Sequence, residues 1–161
     1  MKRIIVYYSL SGNTEEAVKI IAEKLGCEIL KLETVKPLPK AFLAQMFVGG
    51  AQVAMNIIPK IKPIDKDINE YDEIIIGTPI WNRKGVPAIN AFLKDSGIRE
   101  KVTGLIISSG GGDIDKCVKA LEDKIPNVKY RVSLLDRKYT DSSTNQEKID
   151  KFVEAYSNQN I

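Results

Sequence analysis

A length of 161 residues fits one domain, taken as 1–161, and 43% hydrophobic with 28% charged residues lets it bury a real core and stay soluble. The 24 basic and 21 acidic residues leave a net charge of +3 with no dense basic block, which argues against nucleic acid as a partner. His is absent, and Cys27 and Cys117 lie far apart without C-x-x-C spacing, which excludes a disulfide framework, a zinc site and an iron–sulfur site; both thiols read as apolar fillers.

At the N-terminus Lys2-Arg3 precede an apolar run too short for a signal-peptide core, and no later stretch could span a bilayer. The expectation is a reducing, cytoplasmic location and no membrane partner. Residues 3–8 read as the first strand. Asn13-Thr14-Glu15-Glu16 then reads as a helix start, with Asn13 as cap and Glu16 three residues on, and Ala17, Ile20, Ile21 and Leu25 share a face. A second strand covers 28–33. The segment 40–56 carries Phe42, Met46, Phe47 and Val53 but is interrupted by Gly49-Gly50, so it reads as a kinked helix or a helix leading into a loop. Pro59 to Pro63 is a connector within the domain.

A third strand covers 73–77. Pro87 suits a first helical position, Ile89, Phe92 and Leu93 follow, and Ser96-Gly97 ends that helix. A fourth strand covers 102–109, and Asp113 or Asp115 can cap a helix carrying Cys117, Leu121 and Ile125. The fifth strand covers 130–136, and Ser143 or Thr144 can cap a last helix with Ile149, Phe152, Val153 and Tyr156 inward. Near-continuous Ile/Val/Leu runs mark strands covered on both faces. Their alternation with helices implies an α/β fold built on an open, doubly wound, five-stranded parallel sheet. Ligands of such sheets bind beyond the carboxyl ends of the strands, where strand order reverses, so the loops after strands one, three and four carry the function.

The first of these, Ser9-Leu10-Ser11-Gly12-Asn13-Thr14, has four neutral side-chain donors in six residues and no cation. Gly12 lets the backbone come close, and Ser9, Ser11, Asn13 and Thr14 can add donors at a helix N-terminus, where unpaired N–H groups favour an anion. The arrangement suits a phosphate that is held and never transferred. Capping alone needs fewer donors. No G-x-x-x-x-G-K-[ST] or G-x-G-x-x-G motif is present, which removes ATPase and dinucleotide readings, and no cysteine in the loop offers a phosphatase nucleophile. A phosphorylatable receiver domain would need acidic residues where Tyr8-Ser9 and Gly77-Thr78 stand.

The second loop, from Gly77 to Gly85, holds Trp81, the sole Trp, beside Asn82, Arg83 and Lys84. Its polar neighbours favour a partly exposed ring at the binding edge, suited to stacking on a flat ring, over an indole folded into the core. In the third, Ser108-Ser109-Gly110-Gly111-Gly112-Asp113, glycine N–H groups can meet the edge of a planar heterocycle and Asp113 can accept a ring N–H, though capping is its simpler role.

Together the Ser-Leu-Ser-Gly-Asn-Thr loop, Gly77-Thr78-Pro79-Ile80-Trp81 and Ser108-Ser109-Gly110-Gly111 make the whole chain resemble a short-chain flavodoxin. The resemblance implies a flavodoxin-like three-layer sandwich with strand order 2-1-3-4-5 and non-covalent FMN. Carried over by position, Ser9, Ser11, Gly12, Asn13 and Thr14 would hold the 5′-phosphate. Thr78, Pro79, Ile80, Trp81 and Asn82 would flank the isoalloxazine, and Ser109, Gly110 and Gly111 would meet its pyrimidine edge. The implied function is low-potential one-electron transfer between redox partner proteins, a reductase and an acceptor, by a monomer or weak dimer.

Two features depart from the family pattern. The fourth-strand loop lacks the aromatic that covers the second flavin face in many members, which leaves that face open, covered by Met46 or Phe47, or reserved for a substrate. The chain is slightly basic where many members are strongly acidic. An open face would also suit an FMN-dependent NAD(P)H or quinone oxidoreductase on the same fold, although no nicotinamide site is recognisable.

Overall fold

The computed structural model describes residues 1–39, 41–81, 85–111, 114–136, 138 and 142–158; within these, the side chains of Phe42, Met46 and Ser142 are not described. Five strands form one sheet: β1 (Arg3–Tyr7), β2 (Glu28–Lys31), β3 (Glu73–Pro79), β4 (Val102–Ser109) and β5 (Tyr130–Leu135). The order is β2-β1-β3-β4-β5, with every pairing parallel. Hydrogen-bonded connectors of a dozen or more residues are what parallel strands require, and helices fill them here. The chain steps one way from β1 to β2 and the other way from β3 onward, so the switch point lies between β1 and β3.

Alternation along the strands splits the core into two layers. Ile5, Tyr7, Ile75, Ile106, Val132 and Leu134 face α1 (Asn13–Leu25) and α6 (Ser142–Ser157). Ile4, Val6, Tyr8, Ile74, Ile76, Leu105 and Ile107 face the opposite layer, with Ile89 and Phe92 of α3 (Pro87–Phe92) and Cys117 and Leu121 of α5 (Asp115–Glu122). The three-layer sandwich expected from the sequence is what forms.

The helix ends depart from the sequence reading. Helix α1 has no Asn13–Glu16 capping box: Gly12 is its N-cap, at φ 93° and ψ −19°, with no side-chain cap, and the Glu16 N–H donates to the Gly12 carbonyl at 2.9 Å. Ser96-Gly97 does not end a helix either. The helix from Pro87 stops at Phe92, and the Asp95 carboxylate accepts from the Gly97 N–H at 2.8 Å to start α4 (Ser96–Lys101). Ser143 and Thr144 lie inside the first turn of α6, and Ile125 is buried beyond the end of α5. Helix α2 (Phe42–Ala54) runs through Gly49 and Gly50 without a break. The connector that follows is zipped onto the chain after β2, the Val35 N–H donating to the Lys60 carbonyl and the Lys62 N–H to the Glu33 carbonyl.

At the amino end of the sheet, Arg3 and Glu73 form a buried ion pair at 2.6 Å, with the Arg3 guanidinium over the Tyr156 ring. Tyr156 is fully buried and its hydroxyl bonds that of Thr103. The structural anchor is therefore at one end of the strands, and the polar loops are at the other.

Candidate cofactor site

The carboxyl ends of β1, β3 and β4 stand side by side, with Tyr7 opposite Gly77 and Pro79 opposite Ser108. Gly77 is the point of closest approach: a Cβ there would lie 2.8 Å from both Tyr7 Cβ and Val18 Cγ2. This contact seats the first turn of α1 against the sheet and fixes where the loop 9–12 emerges.

In that loop the Gly12 N–H donates to Ser9 Oγ at 3.2 Å, and the Asn13 amide donates to Ser11 Oγ at 3.4 Å. Because Gly12 adopts the left-handed conformation, the loop turns into the helix without a side-chain cap. The N–H groups of Asn13, Thr14 and Glu15 precede the first intrahelical bond and lie at the positive end of the helix dipole. Ser11 and Gly12 are exposed, and a Cβ added to Gly12 would find no atom within 4 Å.

Thr14 behaves differently from its neighbours. It is 2% exposed, and its hydroxyl shares a 2.6 Å hydrogen bond with that of Ser108, itself buried. The pair ties α1 to β4, so what Thr14 offers the open edge is its backbone N–H. Thr78 is likewise fully buried, its hydroxyl donating to the Pro79 carbonyl at 3.0 Å.

Pro79 and Ile80 leave the sheet half-buried, held by the Ile80 N–H on the Ser108 carbonyl at 3.0 Å. Trp81 is half-buried. Its ring meets the edge of Tyr8, with centroids 5.6 Å apart and planes at 87°, and a Cβ on Gly49 of α2 would lie 3.3 Å from the indole Cζ3. The polar neighbours that favoured an exposed ring, Asn82, Arg83 and Lys84, lie outside the described residues. Ser109 is buried at the end of β4 and its carbonyl accepts from the Asp136 N–H, while Gly110 and Gly111 are exposed and Gly111 stands at φ 105°. Gly112 and Asp113 are outside the described residues.

The described residues of the three loops include no Lys or Arg. Glu15, in the first turn of α1, is paired with Lys31 at 2.5 Å and Lys19 at 2.9 Å, and these partners hold its carboxyl below the usual range. Burial raises the Tyr8 phenol above its ordinary value, so it stays neutral. Among the described residues, no group of three or more His, Cys, Asp or Glu could hold a metal ion, and no helix is long and apolar enough to cross a membrane.

The structure thus gathers Ser9, Ser11, Gly12, Asn13, Pro79, Ile80, Trp81, Gly110 and Gly111 at one open edge, and turns the side chains of Thr14 and Thr78 inward. Sequence reasoning missed Tyr8 and Gly49 as neighbours of the site, and placed Ser108 in the third loop without its bond to Thr14. Tyr8 had a signal, since it shares a strand face with Ile4 and Val6; Gly49 meets the site through a tertiary contact alone.

The sequence profile of the flavodoxin family matches residues 2–156. No curated protein sequence matches the chain. Among solved structures, a flavoprotein in complex with FMN from Lactobacillus acidophilus NCFM superposes with a TM-score of 0.70 at 20% identity, covering 94% of this chain and 97% of that one. Flavodoxin 2 from Bacillus cereus gives 0.60 at 17% identity, covering 99% of both chains. An azoreductase from Bacillus anthracis gives 0.50 at 12% identity over 96% of both. The fold is therefore shared by a flavodoxin and an azoreductase alike, and the profile match over nearly the whole sequence decides the family: the chain belongs to the flavodoxins.

Proposed function

We propose that this chain holds FMN at the open edge of β1, β3 and β4 and works as a low-potential one-electron carrier between redox partner proteins. FMN is the cofactor that family membership brings, and bound there it supplies reversible one-electron chemistry. The reading is carried by the start of α1, where a left-handed glycine with open space beside it leads into a helix with no side-chain cap. A phosphomonoester fits that geometry. The N–H groups of Asn13, Thr14 and Glu15 would hold it, with Ser9, Ser11 and the Asn13 amide as additional donors.

No Lys or Arg of the described loop neutralises this phosphate, so its charge remains and opposes further negative charge on the ring. Pro79, Ile80 and Trp81, with Asn82, would flank the ring, and the Gly110 and Gly111 N–H groups would meet its polar edge beside Ser109. Trp81, packed on Tyr8 and Gly49, is held in place before the ring arrives, which limits the ordering cost of binding.

One observation favours a second reading, an FMN-dependent NAD(P)H or quinone oxidoreductase. Phe47, one of the residues that the sequence offers to close the second flavin face, is 82% exposed. Anaerobic titration separates the two. A carrier stays yellow with NADPH alone and bleaches when a reductase is added; an oxidoreductase bleaches with NADPH directly. A colourless protein that takes up no added FMN overturns both.

A further inference from the structure

We propose that the outer face of α2 is a self-association surface, on which a second copy of this chain packs antiparallel about a two-fold axis. Leu43, Phe47 and Met55 are 79%, 82% and 72% exposed, and Val48, Ile57 and Ile58 are exposed beside them. At about 150–200 Å² per full side chain, these six leave on the order of 600 Å² of apolar surface, at the top of what a monomer commonly shows. A standard interface buries roughly 800 Å² per partner, so Leu43 and Phe47 supply the centre of such an interface and the other four residues its margin.

The chemistry of the surface selects the occupant. Residues 41–59 contain no charged side chain at all. A charged redox partner would find nothing on the helix itself to pair with, and a lipid surface would find no basic side chain along it, Lys40 and Lys60 standing outside the helix in sequence at either side. A second copy brings an equally uncharged face, and no ion has to be desolvated.

The pattern is also complementary to itself. Leu43, Phe47, Gly50 and Ala54 recur at spacings of four, three and four, which places them on one side of the helix as a seam. Large residues occupy the first half and small ones the second. In an antiparallel pair centred between Val48 and Gly49, Phe47 meets Gly50 of the second copy and Leu43 meets its Ala54, each large side chain against a small one. The surface at Gly50 is open: a Cβ there would find nothing within 4 Å. The inner side of the same helix is occupied by its own chain, through Gly49 against Trp81 and the buried Val53.

The test is sedimentation velocity on the full FMN-loaded chain at micromolar concentrations. The wild type is expected at twice the 17.9 kDa chain mass, and both Phe47→Glu and Gly50→Lys at half the wild-type value, each with a wild-type far-UV circular dichroism spectrum that shows the variant folded. Mixing the two variants restores the dimer, since Glu at 47 then faces Lys at 50. A wild-type monomer overturns the proposal, including one that floats with phosphatidylcholine vesicles or is taken up by a different protein. So does a Phe47→Glu chain that remains dimeric, and a mixture that stays monomeric overturns the antiparallel register. The outcome does not depend on the redox role of the cofactor.

Discussion

The proposed phosphate cradle makes its sharpest prediction at the two glycines that flank α1. Gly12 stands at φ 93° and Gly26 at φ 62°, and a Cβ built on either meets no atom within 4 Å. Alanine at each position therefore costs only backbone strain, about 1–2 kcal/mol for an L residue in the left-handed region. For a chain of this size that is a fall of about 2–8 °C in Tm for each variant. Their effects on binding diverge, because α1 separates them by about 20 Å. At position 12 the methyl stands where phosphate oxygens must enter, and relief of the strain turns the first-turn N–H groups aside. Losing one charge-assisted hydrogen bond costs about 1.5–3 kcal/mol, or roughly a tenfold to hundredfold loss of FMN affinity. Calorimetric titration of the apo chain with FMN, and with riboflavin, which lacks the phosphate, measures this directly. Gly12→Ala should weaken FMN and spare riboflavin, and Gly26→Ala should spare both. Equal FMN affinity in the two variants, or equal loss for both ligands, refutes the cradle.

Trp81 is the only Trp, so its emission in the apo chain should be quenched as FMN is added, saturating at one equivalent, and Trp81→Ala should raise the lower of the two flavin potentials; emission indifferent to FMN counts against the indole at the ring. Gly104→Ala should cost about 2 kcal/mol or more in a urea melt, since its Cβ would lie 1.9 Å from the Tyr156 hydroxyl and 2.8 Å from Cζ; Tyr156→Phe in the same chain should recover part of the loss. Burial pushes the Cys27 and Cys117 thiols up to about 11. Both favour the neutral form in the folded chain, so their contribution to stability is complete below the ordinary thiol range and is lost as pH rises toward 11. Melts across that window should show the decline, and Cys117→Ala should flatten it.

The strands were legible because buried parallel strands need little besides apolar, β-branched residues, and the runs Ile4–Val6, Ile74–Ile76 and Leu105–Ile107 supply them. The location of the site followed from topology, since the ends of β1, β3 and β4 must lie together once the order is set. The helix starts were less legible for a local reason. A left-handed glycine caps through its backbone and leaves no side-chain signature, whereas Asn13 and Glu16 imitate a capping box that Gly12 makes unnecessary. The orientations of Thr14 and Thr78 were hidden for a tertiary one. A hydroxyl at a loop reads as a donor to a ligand until the structure brings Ser108 within 2.6 Å of it.

The paired glycines of α2 show how far one residue's explanation can differ from its neighbour's. Each costs about 0.5–1 kcal/mol against alanine in a helix interior, so each calls for a reason. Gly49 has one inside the chain: a methyl there would stand 3.3 Å from the Trp81 ring, so the indole would have to give by a few tenths of an ångström to admit it. Gly50 has none inside the chain, because a methyl would meet nothing. A helix that accepts this cost on its solvent side, amid exposed Leu43, Phe47 and Met55 and within a segment free of charge, is shaped for something that approaches from outside. The open surface at Gly50 and the position of Phe47 three residues before it are what the proposed pairing with a second α2 uses.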